Sequence, residues 1–203
     1  MDAMKVWSDQ EQKILHRTVR FVTKKHDGQF RKESGLPYIV HPMAVLSQIA
    51  EWEIPTFVTW LVALSHDVME DCNVSQDELE KVVGKRGAAI VRELSFFPVV
   101  AGEDVPVHIQ KQKYMRSFMI SSVHALVVKF ADRCCNTHDW VVAGNPYAKK
   151  YWKKADNLFD AFTTRKMEII DFFCGPEDTQ REVGETIFVK MQYTRTCISG
   201  MVR

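Results

Sequence analysis

The amino-acid sequence predicts an all-helical protein of 203 residues, and three observations support that class. Apolar residues recur at helical spacing through most of the chain. Serine, proline and glycine residues stand where helices would begin and end. Two segments are apolar on nearly every face, which is typical of helices buried in a core. With 46% hydrophobic and 26% charged residues, the chain has an ordinary globular composition.

The sequence of the first third of the chain, up to residue 70, predicts three helices and one loop. Ser8 is placed to cap the first helix, because its side chain can accept a hydrogen bond from a backbone N–H of the first turn. Residues 26–37 are polar and include two glycines, which favours a loop. Pro42 suits the first turn of the second helix, where its missing N–H costs no hydrogen bond. The predicted helices cover about 9–25, 42–52 and 56–70.

The next part of the chain predicts a longer series of helices. Ser75 and Glu78 form a Ser-x-x-Glu capping pattern, which marks a helix start. Gly84 and Gly87 interrupt that helix, and prolines with a glycine over 96–107 predict a second loop. The helices predicted here end near residues 83 and 95 and then cover 108–116, 121–140 and 147–174.

The tail follows a different pattern from Gly175 onward. Apolar residues within 186–196 alternate roughly with polar ones, which would suit a strand, although no partner strand is evident. The chain is long enough for one well-packed domain and too short for two comfortable ones. We therefore predict one domain over 1–175 and a C-terminal extension of unclear structure over 176–203, which is a candidate homo-oligomer contact.

Charge and composition argue against several classes of partner. The formal net charge is +1, which gives no electrostatic case for binding bulk nucleic acid or a membrane surface. The apolar stretch 54–66, which has no Asp, Glu, Lys or Arg, is too short to span a bilayer. Residues 1–10 lack the apolar core of a secretory signal. An odd number of cysteines, with Cys134 and Cys135 adjacent, favours free thiols in a reducing cytoplasm.

The third predicted helix ends in an unusual cluster of polar residues. Its apolar run is followed by His66, Asp67, Glu70 and Asp71. On a continuous helix at 100° per residue, these four side chains fall within one sector. Three carboxylates and an imidazole at the end of a buried helix are costly unless they are paired or bind a metal.

Two further segments carry chemistry of the same kind. The apolar run over 123–131 ends at Asp132 and Asn136, which lie four residues apart on one helix face, and His41 precedes Pro42. Two histidines and two aspartates suit a divalent ion such as manganese, iron or zinc, with a neighbouring carboxylate as general base for hydrolysis. Taken singly, each segment equally fits a surface ion pair or a solvated helix end. The residues alone leave both interpretations open.

Four motifs together resemble a known family. They are His-Asp-Gly-Gln-Phe-Arg-Lys at 26–32, Pro-Tyr-Ile-Val-His-Pro at 37–42, Ala-Leu-Ser-His-Asp-Val-Met-Glu-Asp at 63–71, and Val-Lys-Phe-Ala-Asp-Arg at 128–133 with Asn136. This combination resembles the HD-domain superfamily, and more narrowly the hydrolase domain of RelA/SpoT-type proteins and the small alarmone hydrolases. The resemblance implies an HD-domain helical bundle. It covers about two-thirds of the chain, from Val22 to Trp152.

The resemblance also implies roles for particular residues. A divalent metal, typically Mn²⁺, would be bound by His41, His66, Asp67 and Asp132. Glu70 and Asp71 would orient or deprotonate the attacking water. Arg31 and Lys32 would lie near the nucleotide or its phosphates, and Asn136 would contact the ribose or support the site. Lys129 and Arg133 are further candidates, either for the substrate or for ion pairs that steady the carboxylates.

The implied activity is metal-dependent hydrolysis of the 3′-pyrophosphate of (p)ppGpp, which gives GDP or GTP and pyrophosphate. A small-molecule nucleotide is then the expected partner, the stringent response the expected setting, and hydrolysis without synthesis is expected. The sequence departs from the family pattern at Ser65, at Cys134-Cys135 and at 96–98. The alternatives are another nucleotide phosphohydrolase, such as a 5′-nucleotidase or an NADPH phosphatase, or a catalytically silent nucleotide-binding protein.

Overall fold

Helices make up nearly all the regular structure in the described residues, which are 7–99, 105–174 and 181–202 of a computed structural model. Within these ranges the β structure consists of an isolated antiparallel bridge between Phe30 and Pro37. The predicted all-α class is confirmed. The helices are α1 (Asp9–Lys25), α2 (Val40–Glu51), α3 (Phe57–Ser65), α4 (Val68–Asp71), α5 (Gln76–Leu94), α6 (Val107–Ser117), α7 (Val123–Val142), α8 (Tyr147–Lys153), α9 (Asp156–Thr164), α10 (Lys166–Cys174) and α11 (Arg181–Met201).

Local sequence signals explain where the first helices begin and bend. The Ser8 side chain accepts from the Glu11 N–H, and Glu11 in turn accepts from the Ser8 N–H, which completes a capping box. The Ser75 side chain likewise accepts from the Glu78 N–H at the start of α5. Gly84 interrupts α5 with φ +79°, a conformation that favours glycine, so the predicted break is confirmed.

The core forms around α7, whose apolar faces contact helices on several sides. Helices α2, α3 and α5 pack against it from the N-terminal part of the chain, and α8, α9, α10 and α11 from the C-terminal part. Its segment from Val123 to Val128 is buried throughout, and Phe130 stacks on Phe162 with ring centroids 4.4 Å apart. Because α2 and α3 also contact each other, these two helices and α7 meet at one place.

The prediction of one continuous helix over 56–70 is wrong, because the structure has two helices there. Helix α3 ends at Ser65, and α4 begins at Val68. The intervening backbone departs from helical geometry at Asp67, where φ is −99° and ψ is −10°. Two side chains also bond back to α3: Ser65 Oγ donates to the Leu61 carbonyl, and His66 Nδ1 lies 2.8 Å from the Ala63 carbonyl oxygen. The chain therefore turns where the His-Asp pair stands.

The single helix predicted over 147–174 is also divided, into α8, α9 and α10. The second break is at Arg165, whose buried guanidinium donates to the Phe118 carbonyl oxygen at 2.7 Å. The same guanidinium pairs with Glu168 on α10 at 2.7 Å. The contact with Phe118 joins residues 47 positions apart, so no local signal in the sequence marks it.

The strand suggested for 186–196 is wrong, since this segment lies in α11. Its buried residues include Ile187, Met191 and Ile198, which follow helical spacing, whereas Val189 and Tyr193 are exposed. Helix α11 packs mainly against α10. The predicted boundary between 175 and 176 lies outside the described residues, so the division into a domain and an extension stays a prediction.

Two other sequence expectations concern cysteines and membranes. All five cysteines are free thiols, as predicted. No helix in the described part of the chain has both the length and the apolar character needed to cross a bilayer.

The contact between α10 and α11 generates a stability prediction at Gly184. A Cβ at this position would overlap the Ile170 carbonyl oxygen and come within 2.7 Å of Cys174 Sγ. Overpacking typically costs about 1–3 kcal/mol, and the gain in helix propensity from alanine is up to roughly 1 kcal/mol. We expect Gly184→Ala to lower the free energy of unfolding by about 1–2 kcal/mol, measured by urea denaturation.

Gly200→Ala is the matched control on the same helix, because nothing lies within 4 Å of a Cβ built there. That variant should keep or slightly raise the free energy of unfolding. Equal stability of the two variants would contradict the proposed close approach of α10 and α11.

Candidate metal centre and nucleotide cleft

Three buried side chains from three helices meet where α2, α3 and α7 converge. They are His41 in the first turn of α2, His66 at the end of α3, and Asp132 on α7. One ligand atom from each lies within 4.8 Å of the others. His41 Nε2 is 3.2 Å from Asp132 Oδ1 and 3.3 Å from His66 Nε2. Two imidazoles and a carboxylate thus point at a common centre.

The fourth predicted ligand lies at the edge of this cluster. Asp67 Oδ2 is 3.0 Å from His66 Nε2 and 3.6 Å from His41 Nε2. On an unbroken helix, successive side chains point about 100° apart. The turn between α3 and α4 instead lets both members of the His66-Asp67 pair face the same centre. The structure therefore brings together all four residues predicted to bind metal.

The donor set fits a divalent ion. His66 Nδ1 is near the Ala63 carbonyl oxygen and can donate its hydrogen there, which leaves the lone pair of Nε2 directed at the cluster. His41 Nδ1 is buried without a hydrogen-bond partner, so the polar contacts of this ring lie on its Nε2 side. Mixed imidazole and carboxylate donors suit Mn²⁺, Fe²⁺ or Zn²⁺. The geometry supports a divalent-metal site and does not distinguish among these ions.

The pKa shifts of the cluster residues also fit a divalent-metal site. Burial acts to lower the pKa of His66, but Asp67 and Asp132 outweigh it and raise the pKa to about 10. Burial acts to raise the pKa of Asp132, but Lys129 and the two histidines hold that pKa well below its usual range. A protonated His66 and Lys129 thus offset the charge of the two carboxylates, and a divalent cation could take the place of the His66 proton. Because a metal ligates unprotonated imidazole, metal binding here releases protons.

Two neighbours on α7 hold the Asp132 carboxylate in place. Lys129 Nζ lies 2.9 Å from Asp132 Oδ2, and Asn136 Nδ2 donates to Asp132 Oδ1. Lys129 is therefore the ion-pair partner that steadies a carboxylate, one of the two roles considered for it. Arg133 points elsewhere: its guanidinium carbon is 3.8 Å from the centroid of the Tyr151 ring, and it donates to the Tyr151 carbonyl.

The predicted acid pair lies on the short helix α4. Glu70 Oε2 accepts from the Phe96 N–H at 2.9 Å, and Asp71 Oδ2 accepts from the Tyr38 hydroxyl at 2.8 Å. Burial is the main reason that the pKa of each carboxyl is raised. A carboxyl with a raised pKa is a better proton acceptor once it is ionised, which suits general-base chemistry.

A cleft of about 520 Å³ lies beside the cluster. Asp71 and Asn136 line it, so the cleft reaches the groups that surround the metal ligands. Arg31 also lines it and donates through Nη2 to Asn136 Oδ1 at 2.7 Å and to Asp139 Oδ2 at 3.1 Å. Lys32 is exposed on its wall. The volume is within the range of small-molecule sites. The lining residues are Gln29, Phe30, Arg31, Lys32, Glu33, Tyr38, Asp71, Asn136 and Trp140.

Two residues of the site were missed by the sequence reasoning. Tyr38 was noted as part of a motif and given no role, yet its hydroxyl contacts both Asp67 and Asp71. Asp139 is not among the residues predicted to form the site, and it pairs with Arg31. Asn136 and Asp139 are three residues apart on α7 and therefore lie on one helix face. This spacing could have indicated that Asp139 lies near the site.

Comparison with known proteins decides the family. The profile of a family described as "HD domain" matches residues 18–167, which is most of the chain. This chain belongs to the HD-domain family. The matched range includes His66-Asp67, at the turn between α3 and α4.

Relatives of this HD-domain protein include enzymes of alarmone metabolism. It is 31% identical over 125 residues to the bifunctional (p)ppGpp synthase/hydrolase SpoT of Escherichia coli, in an alignment covering 61% of this chain and 18% of SpoT. It is 33% identical over 128 residues to the guanosine-3′,5′-bis(diphosphate) 3′-pyrophosphohydrolase MESH1 of Danio rerio, covering 62% of this chain and 68% of MESH1. The chain therefore spans less than a fifth of SpoT and about two-thirds of MESH1.

A solved structure supports the same fold. It is described as a metazoan ortholog of SpoT that hydrolyzes ppGpp, and it superposes with a TM-score of 0.61 at 23% sequence identity. The superposition covers 92% of this chain and 98% of the other. The similarity of fold therefore extends over nearly the whole chain.

The geometry of the cluster predicts that a divalent metal stabilises the protein. Ligand at one hundred times its Kd adds about 2.7 kcal/mol of stability, which for a chain of this size is a rise in Tm of roughly 5–10 °C. We expect saturating Mn²⁺ to give such a rise over EDTA-treated protein in differential scanning calorimetry. His66→Ala should abolish the rise, because it removes a ligand from the centre of the cluster.

His16→Ala is the control, since His16 is exposed on α1. That variant should respond to Mn²⁺ as the wild type does. A His66→Ala protein with an unchanged Mn²⁺ response would show that the metal binds elsewhere.

Proposed function

We propose that this HD-domain protein hydrolyses the 3′-pyrophosphate of (p)ppGpp and releases pyrophosphate with GDP or GTP. One observation carries the proposal: a nucleotide-sized cleft shares Asp71 and Asn136 with the surroundings of a buried His–Asp metal cluster. The names of the curated relatives favour this substrate over other nucleotides. The raised pKa of both carboxyls on α4 supports hydrolysis rather than simple binding.

His41, His66, Asp67 and Asp132 would hold the divalent metal, which we propose to be Mn²⁺. When bound, such an ion supplies Lewis-acid polarisation of a phosphoryl oxygen and lowers the pKa of water. Lys129 and Asn136 keep the Asp132 carboxylate in place through its two oxygens. The turn at the His66-Asp67 pair keeps their side chains on one centre.

The acid pair would manage the proton of the attacking water. Water attacks the phosphorus bonded to the 3′ oxygen, the P–O3′ bond breaks, and the 3′ oxygen leaves with a proton. Asp71 would accept the proton from water, because it lines the cleft and shares the Tyr38 hydroxyl with Asp67 of the cluster. Glu70, held by the Phe96 N–H, would support the same step.

The cleft would bind the nucleotide through its cationic and amide groups. Arg31 presents a planar guanidinium that suits phosphate, and exposed Lys32 adds a second positive charge on the same wall. Asn136 would contact the ribose while it supports Asp132. In the same proposal, the protein acts on a small-molecule nucleotide in the cytoplasm and serves the stringent response. Self-association stays a prediction.

The main test is incubation of manganese-loaded protein with ppGpp, with GDP and pyrophosphate measured by anion-exchange chromatography. We expect both products in equal amounts and a loss of activity with EDTA. Asp67→Ala should abolish turnover, because a ligand carboxylate is removed. Asp160→Asn is the control, since Asp160 is exposed on α9.

Each failure of this test has a distinct meaning. Retained activity in Asp67→Ala would contradict the proposed metal site. Failure of the wild type to release product would contradict the substrate, and deoxynucleoside monophosphates and NADPH would be tested next. Tight binding of ppGpp without product would favour a silent nucleotide-binding protein.

A second prediction concerns Arg31 and substrate binding. A hydrogen bond to a charged group contributes about 1.5–3 kcal/mol, so its loss corresponds to roughly 10- to 150-fold in affinity. We expect Arg31→Ala to raise KM for ppGpp in that range and to lower kcat less, in steady-state assays. Arg20→Ala, at an exposed position on α1, should leave KM unchanged. An unaltered KM in Arg31→Ala would place the phosphates away from this wall.

A further inference from the structure

One tyrosine hydroxyl lies between two carboxylates where the metal cluster meets the cleft. The Tyr38 hydroxyl oxygen is 2.8 Å from Asp67 Oδ2 and 2.8 Å from Asp71 Oδ2. The first carboxylate belongs to the cluster, and the second belongs to the cleft. A phenol has one hydrogen, and both oxygens compete for it. The hydroxyl thus joins a proposed metal ligand and a proposed proton acceptor through a single donor.

The Tyr38 ring is held so that its hydroxyl cannot swing away. It stacks on the buried His26 ring with centroids 4.6 Å apart and an interplanar angle of 20°. It meets the His41 ring edge-on at 5.9 Å, and the Arg31 guanidinium carbon lies 5.5 Å from its centroid. These contacts fix the ring relative to α2, and its hydroxyl is therefore a fixed point for the two carboxylates.

The segment that carries Tyr38 also holds the backbone of Asp71. Gln29 Nε2 donates to the Asp71 carbonyl oxygen at 3.2 Å, and Gln29 Oε1 lies 2.8 Å from His26 Nδ1. Asp71 is therefore attached to this loop through its main chain and its side chain.

We propose that Tyr38 is a positioning residue that fixes Asp71 relative to the metal ligand Asp67. The proposal rests on the proposed function, since it concerns the group that accepts the proton from water. Without the hydroxyl, two carboxylates would face each other with no donor between them, and their repulsion would drive them apart. Asp67 would then bind metal less well, and Asp71 would leave its place beside the reacting water.

The first test measures metal binding without any nucleotide. Tyr38→Phe keeps the ring and removes only the hydroxyl, and Co²⁺ titration followed by visible absorption reports the affinity. Loss of a partner that orients a metal ligand typically costs about 10- to 100-fold in affinity or activity, and we expect about tenfold weaker Co²⁺ binding. Tyr193→Phe makes the same chemical change at a position that is 70% exposed on α11 and should bind Co²⁺ as the wild type does.

The second test asks whether Tyr38 acts through Asp71. At saturating Mn²⁺, Tyr38→Phe should lower kcat for ppGpp about tenfold and leave KM nearly unchanged. The double variant with Asp71→Asn should be no slower than Asp71→Asn alone, because the hydroxyl then has nothing left to position. A merely structural tyrosine would lower the rate by the same factor in both backgrounds.

The outcomes separate this proposal from the proposed function. A wild type that binds Co²⁺ but does not hydrolyse ppGpp contradicts the function and leaves the Co²⁺ comparison as the test of Tyr38. Wild-type Co²⁺ affinity in Tyr38→Phe overturns the proposal. So does a kcat that is fully restored by excess metal, or effects that multiply in the double variant.

Discussion

The structure depends on the burial of one polar cluster where three helices meet. His41, His66 and Asp132 are nearly inaccessible to solvent, although apolar residues surround them in the core. Burying ionisable groups costs free energy unless they are paired, hydrogen-bonded or bound to a metal. Contacts with neighbouring groups offset part of this free energy. Lys129 balances a carboxylate charge, and the Ala63 carbonyl receives the His66 ring hydrogen.

The same constraint explains the shape of the backbone around the cluster. His66 follows the last turn of α3, where the free carbonyl groups give a helix its negative end and favour a cation nearby. The turn after His66 lets Asp67 face the same centre as His66, whereas on a continuous helix the two side chains would point about 100° apart. The short helix α4 follows this turn, and it brings Asp71 to the wall of the cleft. The C-terminal end of α3 thus favours a positive charge near His66, and the turn that follows it changes the direction of the next side chains.

The chemistry of the site was predictable from sequence because its residues stand in compact motifs. The four proposed metal ligands and the proposed acid pair are all within or beside such motifs, and the structure places them near one another. The break between α3 and α4 was not predictable, since apolar periodicity runs through it. Nothing in the sequence indicates that the His66 ring lies against the Ala63 carbonyl oxygen. The strand predicted for the tail is wrong because an alternation of apolar and polar residues does not show which of the apolar residues are buried. Val189 and Tyr193 turned out to face solvent.

Contacts between residues far apart in sequence were the hardest to foresee. Arg31 and Asp139 are 108 positions apart, and no local pattern pairs them. Their pairing changes how the cleft is understood, because the guanidinium already has carboxylate and amide partners. A chain of hydrogen bonds runs from the cluster through Asp132 and Asn136 to Arg31. A shift of Asp132 on metal binding would therefore reach the wall of the cleft, and an anionic ligand that draws on Arg31 must compete with Asp139. Metal binding and nucleotide binding share this chain, so the two sites are expected to be energetically coupled.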